Sequence, residues 1–154
     1  MHVEIRDIPE LRVAGVPHVG PYNQIGKAFE RLGRVAGPAG LFQQPGAAMV
    51  GIYHDDPDST PPDQLQSDAA IIVPDGVKLP SELMEQRLPG GRYAVTVHEG
   101  PYEQLPDVWM RLMAEWLPAS GHRVGESASY EYYLNDPSNT PKERLRTEIR
   151  VPIA

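Results

Sequence analysis

Apolar and polar positions alternate with period two over several short runs of this chain, and with a period near 3.6 over two longer ones. Arg12-Val13-Ala14-Gly15-Val16 and Arg92-Tyr93-Ala94-Val95-Thr96-Val97 are rich in β-branched residues and bounded by Gly or Pro, which predicts strands. Ala48 to Tyr53, Ser67 to Pro74, Ser129 to Leu134 and Arg146 to Pro152 predict four more. Val3 to Asp7 and Met84 to Leu88 predict one further strand just ahead of each member of the first pair. Leu105, Trp109, Leu112 and Trp116 are spaced four, three and four, one face of a helix, and Ile25, Phe29 and Leu32 follow the same spacing. Pro21 and Pro101 fall at the entry to these helices, where a missing N–H costs nothing. Pro106 is expected to distort the second helix.

The two sets of elements are copies. His18-Val19-Gly20-Pro21-Tyr22 returns as His98-Glu99-Gly100-Pro101-Tyr102. Holding the offset that carries His18 to His98, Arg12–Leu32 and Arg92–Leu112 share nine identities in twenty-one positions, where ordinary residue usage gives roughly one or two. Tyr53, Asp56-Pro57, Thr60-Pro61 and Leu65 then match Tyr133, Asp136-Pro137, Thr140-Pro141 and Leu145 without a gap. Neither copy alone would bury its helix and sheet well. The expected fold is therefore α+β: two tandem, pseudo-symmetric β-α-β-β units forming one antiparallel-sheet domain over residues 1–154. Repeat one covers about 3–74, repeat two about 84–152, and Asp75 to Glu82 joins them.

Composition narrows the function. The chain has 154 residues, 40% hydrophobic and 23% charged, enough apolar material for a core. Its 14 Lys and Arg against 21 Asp and Glu give a formal charge of -7, the wrong sign for phosphate backbones and anionic lipid. No run is long enough to span a membrane, and Met1 to Asp7 alternates like a strand instead of forming a signal peptide's apolar run, so a cytoplasmic location is expected. Without cysteine there is no disulfide, thiolate zinc site or cysteine nucleophile.

Several motifs are better explained by local structure. His18 and His98 recur at a strand end, but no further ligand follows at metal spacing, and both are expected to serve the turn. Asp55 to Asp63 is acidic yet lacks the central Gly and closing Glu of a calcium loop, so turn chemistry fits it better. Gly125 to Ser129 misses the last Gly of a nucleophile elbow. No phosphate loop or dinucleotide fingerprint occurs; neither a metal nor a cofactor is expected.

The chemistry lies where the copies differ. Gly51 corresponds to Glu131, and Phe29 to Trp109. Glu is depleted from strand interiors, yet Glu131 sits mid-strand among Tyr130, Tyr132 and Tyr133. Alternation puts Glu131 and Tyr133 on one face, and Tyr130, Tyr132 and Leu134 on the other. On the related strand Gly51 leaves room, flanked by Met49 and Tyr53. A carboxylate among rings suits a bulky cation or a hydrogen-bonding aromatic, each cation–π contact contributing about 0.5–2 kcal/mol. A solvated Glu131, or one paired with an arginine such as Arg111, fits the same pattern. Trp109 is equally a pocket wall or a core plug.

The residues quoted above, taken together, resemble the GyrI-like small-molecule-binding family, which includes the effector-binding domains of AraC-type and MerR-type regulators. Val13-Ala14-Gly15, Gly20-Pro21-Tyr22, the Tyr53-to-Thr60-Pro61 stretch and Val151-Pro152 are similar to its stand-alone gyrase inhibitory branch. The resemblance implies helices on one face of the sheet and a central ligand groove on the other. It also implies that a glutamate on the penultimate strand meets the ligand, and Tyr130-Glu131-Tyr132-Tyr133-Leu134 fits that motif. Aromatic residues line the groove in relatives, so Tyr22, Phe29, Tyr53, Tyr102, Trp109 and Tyr133 join Glu131 and Met49 as candidate ligand contacts. Regulators of this family carry a helix-turn-helix, for which these residues leave no room, so direct DNA binding is not expected.

Three functions follow from the resemblance and the charge. The first is capture or sensing of a hydrophobic, cationic or aromatic drug or toxin, with modulation of DNA gyrase by protein contact as its extension. The second is hydrolysis of strained cyclopropane rings in DNA-alkylating natural products. Glu131, its pKa raised among rings, would then activate water with Trp109 beside it. The third is a pure interaction role in which an acidic surface mimics nucleic acid.

Overall fold

Period-two stretches become strands and the 3.6-period stretches become helices in a computed structural model that describes all residues, Met1–Ala154. The strands are β1 (Glu4–Ile8), β2 (Leu11–Val19), β3 (Met49–Tyr53), β4 (Gln66–Ile72), β5 (Met84–Leu88), β6 (Gly91–Glu99), β7 (Ser129–Tyr133) and β8 (Arg146–Pro152). The helices are α1 (Gly26–Ala36), α2 (Leu105–Met110) and α3 (Leu117–Ser120). No helix is long and apolar enough to cross a membrane. The fold is α+β, and two compact units divide it: Met1–Ile8 with Gly91–Ala154, and Pro9–Gly90.

In the first unit the strand order is β1-β6-β8-β7, all antiparallel. Leu105, Val108 and Leu112 from the helical segment pack on Ile149 and Val151 of β8, with Trp109, Met113 and Trp116 partly buried around them. In the second unit the order is β3-β4-β2-β5, again antiparallel. There Ala28, Leu32 and Ala36 of α1 lie against Ala14, Val16, Ala69 and Ile71. Gly15 lets β2 and β4 approach closely, since a Cβ there would lie 2.8 Å from the Ala69 carbonyl oxygen.

Two features differ from the expectation. First, the leading strands are exchanged. β1 precedes repeat one in sequence but pairs with β6 of repeat two, Ile8 opposite Gly91. β5 precedes repeat two but pairs with β2, Leu88 opposite Leu11. The links are Pro9-Glu10 and Pro89-Gly90. A two-residue hairpin needs positive φ at its first central residue, which proline cannot adopt, so each strand leaves its neighbour in sequence and pairs elsewhere. Second, Pro106 falls in the first turn of α2, where it is tolerated. The distortion comes later, as a π-helical segment over Arg111–Trp116. Pro118 follows it; having no N–H for the Ala114 carbonyl and crowding that turn, it is accommodated by the wider turn.

The repeated Gly-Pro has a backbone reason. Gly20 and Gly100 take φ of +131° and +144°, which only glycine adopts readily, and their N–H groups donate to Leu65 and Leu145 carbonyls, both at 2.8 Å. Pro21 and Pro101 then precede short 3₁₀ turns, Tyr22–Gln24 and Tyr102–Gln104, rather than opening the helices directly. The His18 ring lies 3.1 Å from the Pro21 carbonyl oxygen, bracing that turn. In the acidic connectors Asp56 and Asp136 accept from the N–H groups of Asp58 and Ser138, 2.9 and 2.8 Å, the Asx-turn role expected of them.

Candidate functional site

Glu131 is carried by β7 opposite Ile149 of β8, a residue in the core beneath the helical segment. Strand alternation therefore turns the carboxylate toward the helix, and its exposure is only 5%. The Trp109 indole N–H donates to Glu131 Oε2 at 2.6 Å, and the Tyr133 hydroxyl donates to Oε1 at 2.7 Å. Both distances are those of charge-assisted hydrogen bonds. The Tyr102 ring packs on Tyr133, centroids 5.5 Å apart and planes at 55°. Burial, with the negative charges of Asp136 and Glu131, pushes the Tyr102 hydroxyl up to about 12. It thus stays a neutral donor throughout the physiological range. Four of the candidate residues, Trp109, Glu131, Tyr133 and Tyr102, form one cluster in one unit.

The resemblance, with helices on one face of the sheet and the groove on the other, implies a Glu131 turned away from the helix; the structure turns it toward the helix. Glu131 and its ring partners lie on the face that meets the helix, because Trp109 of α2 reaches the carboxylate directly. Neither a solvated Glu131 nor a mere core plug at Trp109 describes the pair: the carboxylate is buried and the indole serves as its donor.

The other candidates lie in the second unit. The Tyr22 hydroxyl donates to the Asp55 carbonyl at 2.9 Å and accepts from the Asp55 N–H at 3.0 Å, and its ring meets Tyr53 edge-on at 4.8 Å. Tyr22 is thereby tied into its loop. Phe29 and Met49 pack against the core under α1.

The opposite face of β7 holds a cluster that the sequence did not lead us to expect. Arg150 lies 4.3 Å above the Tyr132 ring centroid and 5.6 Å from that of Tyr130. Its guanidinium meets Glu148 at 2.8 and 2.9 Å, and Arg6 meets the other Glu148 oxygen at 3.1 Å. The available signal was Glu148-x-Arg150 at strand spacing, but pairing it with the tyrosines required the β7–β8 register.

Comparisons with known proteins agree with this architecture. The profile of a family described as a GyrI-like small molecule binding domain matches residues 1–154. A DNA gyrase inhibitor of Serratia proteamaculans is 38% identical over 144 residues, 88% of each chain. Among solved structures, the C-terminal domain of EcmrR superposes with a TM-score of 0.80 at 22% identity, over 99% of this chain and 97% of that one. The structure of SAV2435 bound to tetraphenylphosphonium superposes with a TM-score of 0.74 at 16% identity, over 100% and 94%.

Proposed function

The chain belongs to the GyrI-like small-molecule-binding domain family, and on that premise we propose that it captures a hydrophobic cation or polar aromatic at the Glu131–Trp109–Tyr133–Tyr102 cluster. The carrying observation is the burial of Glu131 between two ring donors. A carboxylate taken out of water is costly unless it is hydrogen-bonded or meets positive charge. Surrounding rings then add cation–π attraction in a desolvated setting. Tetraphenylphosphonium, named with one structural neighbour, is a suitable probe. It is expected to change tryptophan fluorescence saturably. The change should persist in Trp116→Phe, whose ring stacks on His122 instead, and vanish in Trp109→Phe. A flat titration in the unaltered protein would remove the reading.

The same geometry favours capture over hydrolysis. A base must meet water, and here the carboxylate is only 5% exposed and held by the donors of Trp109 and Tyr133, which stabilise its charged form and weaken it as a base. Contact with DNA gyrase is the second part of the reading, favoured by the name of the 38%-identical relative and by a net charge of -7 that suits a DNA-handling surface. Adding the protein to purified gyrase should slow supercoiling. An unchanged rate at a large molar excess would remove the gyrase role and leave ligand capture standing.

A further inference from the structure

On the sheet face turned away from α1, the second unit holds a half-open cavity of about 300 Å³ whose lining includes Asp68, His54 and Gln86, the small end of ordinary ligand pockets. His54 Nε2 lies 2.5 Å from Asp68 Oδ2, and Gln86 Nε2 donates to the same oxygen at 3.0 Å. A carboxylate only accepts, which fixes both partners as donors. Asp68 Oδ1 and Gln86 Oε1 are left, and with a neutral imidazole so is His54 Nδ1. Acceptors thus outnumber the one donor left over, the second N–H of Gln86 Nε2. Beside them Val19 and Met84, 66% and 60% exposed, and Pro17 form an apolar wall.

The other copy shows what such an acid takes. By the offset that relates His18 to His98, Asp68 becomes Glu148, with the same cross-strand register: Pro17 opposite Asp68, Val97 opposite Glu148. Glu148 is closed by two guanidinium groups, those of Arg6 and Arg150. The positions matching these arginines in the second unit are Gln86 and Ala70, so its acid has an amide and an imidazole where its twin has permanent cations.

We propose that this cavity is a second small-molecule site, separate from the Glu131 cluster, which takes an amidinium, guanidinium or primary ammonium group on a short apolar body. The cation's N–H groups meet Asp68 Oδ1 and Gln86 Oε1, and the body lies on Met84, Val19 and Pro17. The titratable groups around it are Asp68 on β4, His54 after β3 with Asp55 beside it, His18 on β2, and Glu85 on β5 held by Arg12 at 3.0 Å. The hydrogen bond to Asp68 raises the His54 value; burial pushes Asp68 up, but His54 and Gln86 hold it below the ordinary carboxylate value. Asp68 therefore stays ionised from weakly acid pH upward, while a protonated His54 repels the ligand. Affinity rises as pH passes upward through the His54 value.

Benzamidine titrated into the full chain and followed by NMR tests this. The expected result is saturable shifts at Val19, Met84 and the Gln86 side-chain amide, tighter at pH 8.5 than at pH 5.5. These should be unaltered in Glu131→Gln and absent with neutral benzamide. Asp68→Asn, which keeps the shape, should weaken binding about tenfold or more. Gln86→Leu, which leaves the His54–Asp68 pair in place, should weaken it too. No saturable shift, shifts confined to Trp109 and Tyr133, equal binding of benzamide, or binding that survives both substitutions would overturn the proposal.

Discussion

Arg150→Ala is expected to cost about 3–5 kcal/mol of folding stability, the range for breaking a buried ion pair from one side. Arg150 is 9% exposed and Glu148 7%. Removing the guanidinium leaves Glu148 with Arg6 alone, whose side chain is 37% exposed and thus partly screened by water. It also strips the packing from the Tyr132 face, where the guanidinium sits 4.3 Å from the ring centroid. The denaturation midpoint in urea, followed by circular dichroism, measures the loss. Replacing both partners together, Arg150→Met with Glu148→Gln, should recover most of it, because the one charge left without Glu148 is Arg6, which is 37% exposed and keeps Glu4 at 3.6 Å. A loss below about 1 kcal/mol in the single variant would mean that water screens this pair as it does a surface one.

How much of this was legible beforehand depends on whether a feature is local. The constant offset between the copies placed equivalent strands correctly: β2 and β6 begin at Leu11 and Gly91, β3 and β7 at Met49 and Ser129, β4 and β8 at Gln66 and Arg146. Alternation alone put Glu131 and Tyr133 on one face, and the hydrogen bond between them is what that face permits. Spacing along the helix put Trp109 among the apolar residues without indicating that its N–H has a carboxylate to serve. Pairing partners were harder. The exchange of β1 and β5 depends on Pro9 and Pro89 forbidding tight hairpins, and alternation carries no information about which strand lies alongside. Period two defines two faces but does not say which one meets the helix, so the Glu131 face was misassigned from the resemblance. The clusters at Arg150 and at His54–Asp68 each join side chains from neighbouring strands, and no window of sequence contains them.

Glu131→Gln is the substitution that isolates charge from shape at the candidate site. Glutamine can still accept from the Trp109 indole through its carbonyl oxygen, and the Tyr133 hydroxyl can rotate to accept from its amide. The ring cluster is therefore retained while the negative charge is lost. Close opposite charges in a desolvated site couple by about 1.5 kcal/mol or more, which at about 1.4 kcal/mol per decade is roughly a tenfold or larger change in affinity. Isothermal titration of tetraphenylphosphonium into the unaltered protein and into Glu131→Gln, with circular dichroism to show that both are folded, measures that difference directly. The variant is expected to bind at least about tenfold more weakly; equal dissociation constants in two folded proteins would contradict a binding role for this carboxylate.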